Sequence, residues 1–340
     1  MSERLCLERA ATAGVREPLQ RVNCPGCGRR HEGPSVEEYC RFSLYCCQGC
    51  DLQFWHPVEV PDAAWHEMVY QGRDQHVMPL EPGHRFFLSS PRAPRSGSLL
   101  DVGCGTGNFL SATRAAGYDV VGIELNQNAA RFARKRLGLD VLPLRLEDFV
   151  REHPDRRFDV VTFFEVLEHQ DKPQAFLKLA KSCLKSGGYL ALSVPNRERW
   201  QEGTEVLDYP PNHLTRWNAR TLNNFLTAQG FEILAICEEP LSVPRAAQVL
   251  SMKLRTGLVT RIAGEKPPSP SDLWGMKPQD IQVTLERTSR SVAHQVAFQL
   301  VRLKNYALLP AAVLMLPYFR FRGYKGAYLS CLARLRNWSE

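Results

Sequence analysis

The chain has 340 residues, 44% hydrophobic and 23% charged, with 23 Gly and 23 Pro; these are the proportions of an ordinary folded protein and exclude wholesale disorder or a fibrous repeat. The formal charge of +7 is unevenly spread: residues 241–340 hold 15 Lys and Arg against 5 Asp and Glu, so the first 240 residues sum to −3, from 28 basic and 31 acidic side chains. No apolar run reaches the ~18–20 residues that a helix needs to cross a bilayer, and the start MSERLCLERA lacks the apolar core of a secretory signal, so a cytoplasmic protein is expected.

Seven of the 11 cysteines fall in the first 50 residues, and clustered cysteine in a cytosolic chain points to metal before disulfides. Within residues 20–57, Cys24-Pro25-Gly26-Cys27 and Cys47-Gln48-Gly49-Cys50 are two C-x-x-C pairs with 19 residues between them. Two such knuckles present four thiolates tetrahedrally, and Gly26, Gly28 and Gly49 permit tight turns around a metal. The spacing predicts a zinc ribbon, structural because four cysteines close the coordination sphere and because metal supplies most of the folding energy of so small a module. The competing reading is a group of reduced thiols packed without metal, with Cys40 and Cys46 as extra members. Arg29 and Arg30 form no basic stripe, which argues against nucleic acid as the partner.

Residues 58–97 read as a mixed connector ending in a turn-laden stretch, Ser89-Ser90-Pro91-Arg92-Ala93-Pro94. From 98 to 238 short apolar runs alternate with helical patterns. Strands are predicted over 98–102, 119–123, 141–144, 158–164, 189–194 and 231–237, with helices over 108–116, 127–137, 173–184 and 219–229. Continuous apolar strands separated by helices imply an α/β domain with a doubly wound, mostly parallel sheet. A ligand then belongs at the carboxyl ends of the strands.

The first of these strands runs into Asp101-Val102-Gly103-Cys104-Gly105-Thr106-Gly107. Glycine lets backbone turn tightly and approach a ligand, and the helix that follows points its N–H groups and positive dipole end the same way. The second strand ends at Glu124, 21 residues after Gly103, where a carboxylate accepts hydrogen bonds from ribose hydroxyls of a nucleoside. A nicotinamide dehydrogenase is the nearest physical competitor, but it prefers G-x-G-x-x-G.

Four ordered motifs, LLDVGCGTGNFL at 99–110, VVGIEL at 120–125, FDVVTFFEVLEH at 158–169 and LKSGGYLALSVPN at 184–196, resemble those of the class I S-adenosylmethionine-dependent methyltransferases, whose fold is Rossmann-like. The resemblance covers residues 98–238. It implies that Gly103, Gly105 and Gly107 approach the methionyl part of S-adenosylmethionine, with Asp101 and Cys104 in the same loop. Glu124, with Leu125 beside it, takes the ribose hydroxyls; a Leu146-Glu147-Asp148 turn borders the adenine; Phe164-Glu165-Val166 closes the pocket. The cysteine pattern likewise looks like the amino-terminal ribbon of bacterial methyltransferases acting on glycans, lipids and secondary metabolites.

The expected reaction is methyl transfer to a small-molecule, sugar or lipid-linked acceptor, with oxygen as the favoured atom. A hydroxyl acceptor needs a base within hydrogen-bond reach. His169 follows the fourth strand and His213 lies between the fifth strand and the next helix, in Asp208-Tyr209-Pro210-Pro211-Asn212-His213; His213 is the preferred base. The alternative for His169 is a structural residue hydrogen-bonded within its loop, and for His213 a loop histidine pinned by Pro210 and Pro211. EVLEHQDKP resembles the ubiquinone-biosynthesis O-methyltransferases, in some of whose relatives this segment holds a divalent metal, which implies Glu165, Glu168 and His169 as ligands. Methylation of RNA or protein, and a non-catalytic cofactor-binding scaffold, are the competing functions.

Residues 239–340 read as a basic, helical carboxy-terminal extension. Val292, Val296, Leu300 and Leu303 recur at helical spacing, and Tyr306–Phe319 is an uncharged run followed by Arg320, Arg322 and Lys325. A helix of 14 residues spans only ~21 Å. The segment therefore suits either peripheral attachment to an anionic membrane surface, on its cytoplasmic face, or docking as a lid or dimer seam. Nothing in the sequence fixes an oligomeric state.

Overall fold

Residues rich in Val, Leu, Ile and Phe with no polar alternation are stable as strands only where both faces of a sheet are covered. In the computed structural model, which describes residues 22–39, 41–61, 79–199, 208–247, 250 and 307–336, they build one seven-stranded sheet. In chain order its strands are β6 (Gly97–Val102), β7 (Tyr118–Ile123), β8 (Val141–Leu142), β9 (Phe158–Phe164), β10 (Leu184–Pro195), β12 (Phe231–Pro240) and β13 (Lys325–Leu335). The spatial order is β12-β13-β10-β9-β6-β7-β8, and only β13 runs antiparallel to its neighbours. Leu99, Leu100, Val160, Val161, Phe163, Leu190 and Leu192 are wholly buried at its centre.

Helices α2 (Asn108–Ala115), α3 (Gln127–Leu137), α4 (Leu146–Glu152), α5 (Pro173–Ser182) and α6 (Ala219–Ala228) connect the strands. Their ends are set locally. Asn126 accepts from the Asn128 and Ala129 N–H groups to start α3, Gly138 closes it at φ 59°, and Asn218 accepts from Thr221 N–H to start α6. Where β7 passes the glycine loop, packing is tight: a Cβ on Gly122 would lie 2.5 Å from Leu110 Cδ1 and 2.6 Å from Cys104 Sγ. Gly122→Ala is expected to destabilise the domain by about 1–3 kcal/mol through overpacking, read as a lower urea midpoint at unchanged slope.

Two expectations are corrected. The connector over 58–97 contains a helix, α1 (Pro82–Ser89), which belongs to the domain: Phe87 is buried and meets Phe109 and Tyr118 edge-on or tilted. Gly83 sits so close to the sheet that a Cβ would come within 2.8 Å of Phe164 and 2.9 Å of Ser193. An internal glycine, needed for that approach, and the turn residues that follow mask the helical pattern. Second, the domain does not end at Glu238, because β13 lies between β10 and β12. Leu329, Ser330, Cys331, Leu332 and Ala333 are all buried there, and an apolar run with no alternation reads equally as buried helix or strand. Residues 241–324 are thus an insertion between the last two strands. The run around 306–319 forms helix α7 (Leu309–Phe321), whereas the amphipathic segment 292–303 lies outside the described residues.

The amino-terminal module has a two-stranded sheet, β1 (Val22–Asn23) with β2 (Arg30–His31), and a second sheet of β3 (Glu37–Tyr39), β4 (Phe42–Cys46) and β5 (Gln53–His56). A fourth strand completes the latter: β11 (Thr215–Arg216), from the connection between β10 and α6, pairs with β5. Buried Phe42, Leu44, Trp55 and Tyr209 form the core of this junction.

Candidate active site

At the carboxyl end of β6 the loop takes left-handed backbone at Gly103, Gly105 and Gly107 (φ 76°, 54° and 81°), a region that costs any residue with a Cβ. A Cβ on Gly107 would strike Leu139 at 2.5 Å, while one on Gly105 would meet no atom of the described residues within 4 Å, so among them the loop is open on that side. Facing it, Glu124 accepts from Gly105 N–H at 2.8 Å and Asn126 N–H at 2.7 Å, one on each carboxylate oxygen. Burial raises its carboxyl above the ordinary value, opposed by these backbone N–H groups. Each oxygen keeps acceptor capacity, and half-exposed Leu125 beside it offers an apolar surface. A sharply turned loop, a helix N-terminus and an oriented carboxylate fit the nucleoside part of S-adenosylmethionine.

The other members of the expected cofactor set divide. Asp101 is buried beneath the loop, accepts from Thr162 Oγ at 2.7 Å, and is pushed by burial to about 7. Cys104 packs its thiol inward against Gly122 as a buried filler beneath the loop. Leu146–Asp148 is not a turn but the first turn of α4, where Glu147 and Asp148 complement the helix dipole. Glu147 is exposed there, and Asp148 pairs with Arg151 at 2.6 Å. Phe164 is buried between His84 and Phe109, with ring centroids 4.7 and 4.9 Å away. Glu165 adopts φ 54°, rare for a residue with a Cβ and a mark of functional sites. Its N–H donates to Ser193 O and its carboxylate accepts from Ser193 Oγ at 2.8 Å; burial pushes that carboxyl to about 8.

His169 and His213, 44 residues apart in sequence, come together with ring centroids 5.0 Å apart. His169 Nδ1 contacts Asn212 O at 2.6 Å; a carbonyl only accepts, so Nδ1 carries the hydrogen. His213 Nδ1 lies 3.2 Å from Asp208 Oδ1, the same tautomer. Burial opposes the Asp208 charge, but His213 and Arg199 outweigh it and draw its carboxyl down to about 2. Burial also lowers His213, with Asp208 acting against it. Both Nε2 atoms lie 3.9 Å from Glu168 Oε1. Glu168 is 1% exposed, and neither carboxylate oxygen has a hydrogen-bond partner among the described residues; burial raises it well above the usual range. Glu168, His169 and His213 have one donor atom each within 4.8 Å of the others. Glu165, expected among these ligands, is not part of the group because its carboxylate turns to Ser193. A cavity of about 50 Å³ adjoins His213, lined also by Pro195, Arg197, Arg199, Asp208 and Arg216.

Sequence reasoning missed Asp208 and Asn212 as the groups that orient the two histidines. No spacing rule marks them, since the contacts depend on how loop 208–217 folds back. That loop is held by the cysteine module. Trp55 N–H donates to Leu214 O at 3.0 Å, Tyr209 Oη donates to Glu37 at 2.7 Å, and Arg216 pairs with Glu37 at 2.6 Å. Asp51 pairs with Arg197, and Gln174 donates to Gly26 O at 2.8 Å.

In the module itself, two knuckles repeat one backbone pattern: Gly28 N–H to Cys24 O and Asp51 N–H to Cys47 O, both 2.8 Å. They bring Cys24 Sγ within 3.6 Å of Cys50 Sγ and Cys27 Sγ within 3.5 Å of Cys47 Sγ, and all four sulfurs lie within 4.8 Å of one another. Cys46 stays outside, with its thiol toward Asp51. The hydrogen bond with Cys24 draws the Cys50 thiol down to about 5 and is the main cause of the rise at Cys24.

A family model described as a methyltransferase domain matches residues 70–236. Ubiquinone biosynthesis O-methyltransferase of Thiobacillus denitrificans is 38% identical over 112 residues, 31% of this chain and 48% of the relative. That of Actinobacillus pleuropneumoniae serotype 5b is 36% identical over 107 residues, 29% and 46%. The chain thus spans about half the length of the curated relatives it matches. Among solved structures, a SAM-dependent methyltransferase from Archaeoglobus fulgidus covers 80% of this chain and 100% of its own, at 18% identity and TM-score 0.44. Residues 70–236 thus match a methyltransferase domain, and the sequence relatives that the chain matches over about half their length are O-methyltransferases.

Proposed function

We propose that the protein transfers the methyl group of S-adenosylmethionine to an oxygen of a small-molecule acceptor, with His213 taking the acceptor's proton. The observation that carries this is the Asp208–His213 pair at the catalytic edge: a carboxylate fixes the tautomer and leaves Nε2 as the basic nitrogen. Bound S-adenosylmethionine supplies a sulfonium whose methyl is already electrophilic. The chain's own task is to hold an acceptor in line, exclude water and move one proton. Burial lowers His213, favouring the neutral base, and Asp208 stabilises the imidazolium once the proton arrives. The names of the curated relatives support oxygen as the acceptor atom; sugar and lipid-linked acceptors fall within the same reading. Labelled cofactor is expected to mark the small-molecule or lipid fraction of a fractionated extract. Label confined to RNA or protein would overturn the assignment.

Cofactor capture rests on Glu124. Glu124→Ala is expected to weaken S-adenosylmethionine binding about 10–100-fold, the worth of hydrogen bonds to a charged group, measured by calorimetry on protein of unchanged circular dichroism.

The unpartnered Glu168 oxygens favour a second reading, in which Glu168, His169 and His213 hold a divalent cation. Its chemistry there would be Lewis acidity, lowering the pKa of an acceptor hydroxyl. The hydrogen bonds from the two Nδ1 atoms to Asn212 O and Asp208 are of the kind that orient metal-bound imidazoles.

The four cysteines are read as a structural zinc centre. Their closest sulfur separations approach the ~3.8 Å edge of a tetrahedron with Zn–S bonds of ~2.3 Å. One zinc per chain is expected by elemental analysis.

A further inference from the structure

Helix α7 is apolar on two sides, and only one is covered by the described residues. Ala312 and Phe319, with partly buried Leu309 and Leu316, pack against Leu241, Ala246 and Ala247. The opposite side exposes Val313 (55%), Leu314 (81%), Met315 (38%), Tyr318 (54%) and Phe321 (88%), more than half of the large apolar side chains exposed among the described residues. A contiguous apolar surface of this kind marks an interaction site.

Charge says what kind of surface covers it. The insertion 241–324 holds 12 Lys and Arg against 4 Asp and Glu, a net +8, which leaves the rest of the chain at −1. Exposed Arg322 lies at the end of α7, and Arg320 beside it is stitched to Leu241 O at 3.1 and 3.2 Å. Topology places the insertion at the catalytic rim. β12 ends at Pro240 paired with Lys325, and β13 begins beside the carboxyl end of β10, where Pro195 pairs with Tyr328 and Arg199 bridges to Lys325. Arg199 also lines the cavity beside His213.

We propose that helix α7 seats the protein on an anionic lipid bilayer, with its exposed apolar side immersed in the interface and exposed Arg322 at the headgroups. At 13 residues the helix is ~20 Å long, and no helix among the described residues is long and apolar enough to cross a membrane; it lies in the surface plane. The catalytic edge then faces the bilayer, and the acceptor is an amphiphile drawn from it. Attachment is independent of the methyl-transfer reading, whereas delivery of the acceptor rests on it.

The test is sedimentation of the full chain with vesicles of equimolar phosphatidylglycerol and phosphatidylcholine, against pure phosphatidylcholine. The wild type is expected to pellet with the anionic vesicles alone and to be released by 0.5 M salt, where the Debye length falls to about 4 Å from about 30 Å at 0.01 M. Leu314→Asp with Phe321→Asp, at the two most exposed positions, is expected to cut the partition coefficient at least about tenfold, with melting temperature and cofactor affinity unchanged. Point substitutions serve better than truncation, which would remove β13 from the sheet. Failure of the wild type to bind, or equal binding to neutral vesicles, overturns the proposal. So does a variant that binds vesicles normally but turns a dimer into a monomer, because the face is then a contact between copies.

Discussion

Replacing His213 by alanine is expected to lower turnover about 10²–10⁴-fold, the usual worth of a positioned general base, while S-adenosylmethionine affinity stays unchanged. The side chain lies outside the glycine loop and touches Asp208 and the Glu168–His169 pair, so its loss removes proton transfer and not cofactor binding. Asp208→Asn leaves the shape intact but allows the amide to donate to Nδ1, favouring the wrong tautomer; a similar fall in kcat with little change in KM is expected. Initial rates with the acceptor found by labelling, alongside calorimetry with the cofactor, make the measurement. Chelation divides the two readings of the site. If chelator-treated enzyme that retains its one cysteine-bound zinc keeps full activity, His213 acts as the base; if activity vanishes while that zinc is retained and returns with added divalent cation, the three donors are metal ligands. Unchanged turnover in His213→Ala would remove this residue from both.

The second large effect concerns a centre remote from the proton transfer. Cys47→Ser is expected to abolish zinc binding, lower the melting temperature and reduce turnover by two orders of magnitude or more. Structural zinc contributes roughly 10–16 kcal/mol to the folding of small four-ligand modules, far above what the few buried residues of the module supply. The consequence for activity is mechanical. β5 pairs with β11, and Trp55, Glu37 and Asp51 grip loop 208–217 and neighbouring Arg197. That loop carries both His213 and its partner Asp208. Zinc content by elemental analysis, melting by calorimetry and turnover are the three readouts, and cofactor affinity should change least because Glu124 and the glycine loop lie elsewhere. Full turnover in a zinc-free, folded variant would show that the module does not position the loop.

The parts of this protein that the sequence determined are those set by local chemistry. The unbroken apolar runs of β6, β7 and β9 demanded burial on both faces. Gly103, Gly105 and Gly107 marked a backbone that only glycine tolerates, Glu124 followed at the end of the next strand, and two C-x-x-C pairs announced a four-thiol cluster before any fold was known. Tertiary structure alone decided what depends on residues distant in sequence. It made β13 a sheet strand, because pairing with β10 and β12, and not its own pattern, settles the conformation of an apolar run without alternation. It turned the Cys104 thiol inward, toward the space that Gly122 leaves open. It also brought Asp208 and Asn212 to the two histidines, since a loop anchored on another module's strand edge obeys no spacing rule. Local periodicity and turn chemistry are written residue by residue, whereas the company a side chain keeps across 40 or more positions is fixed only when the whole sheet closes.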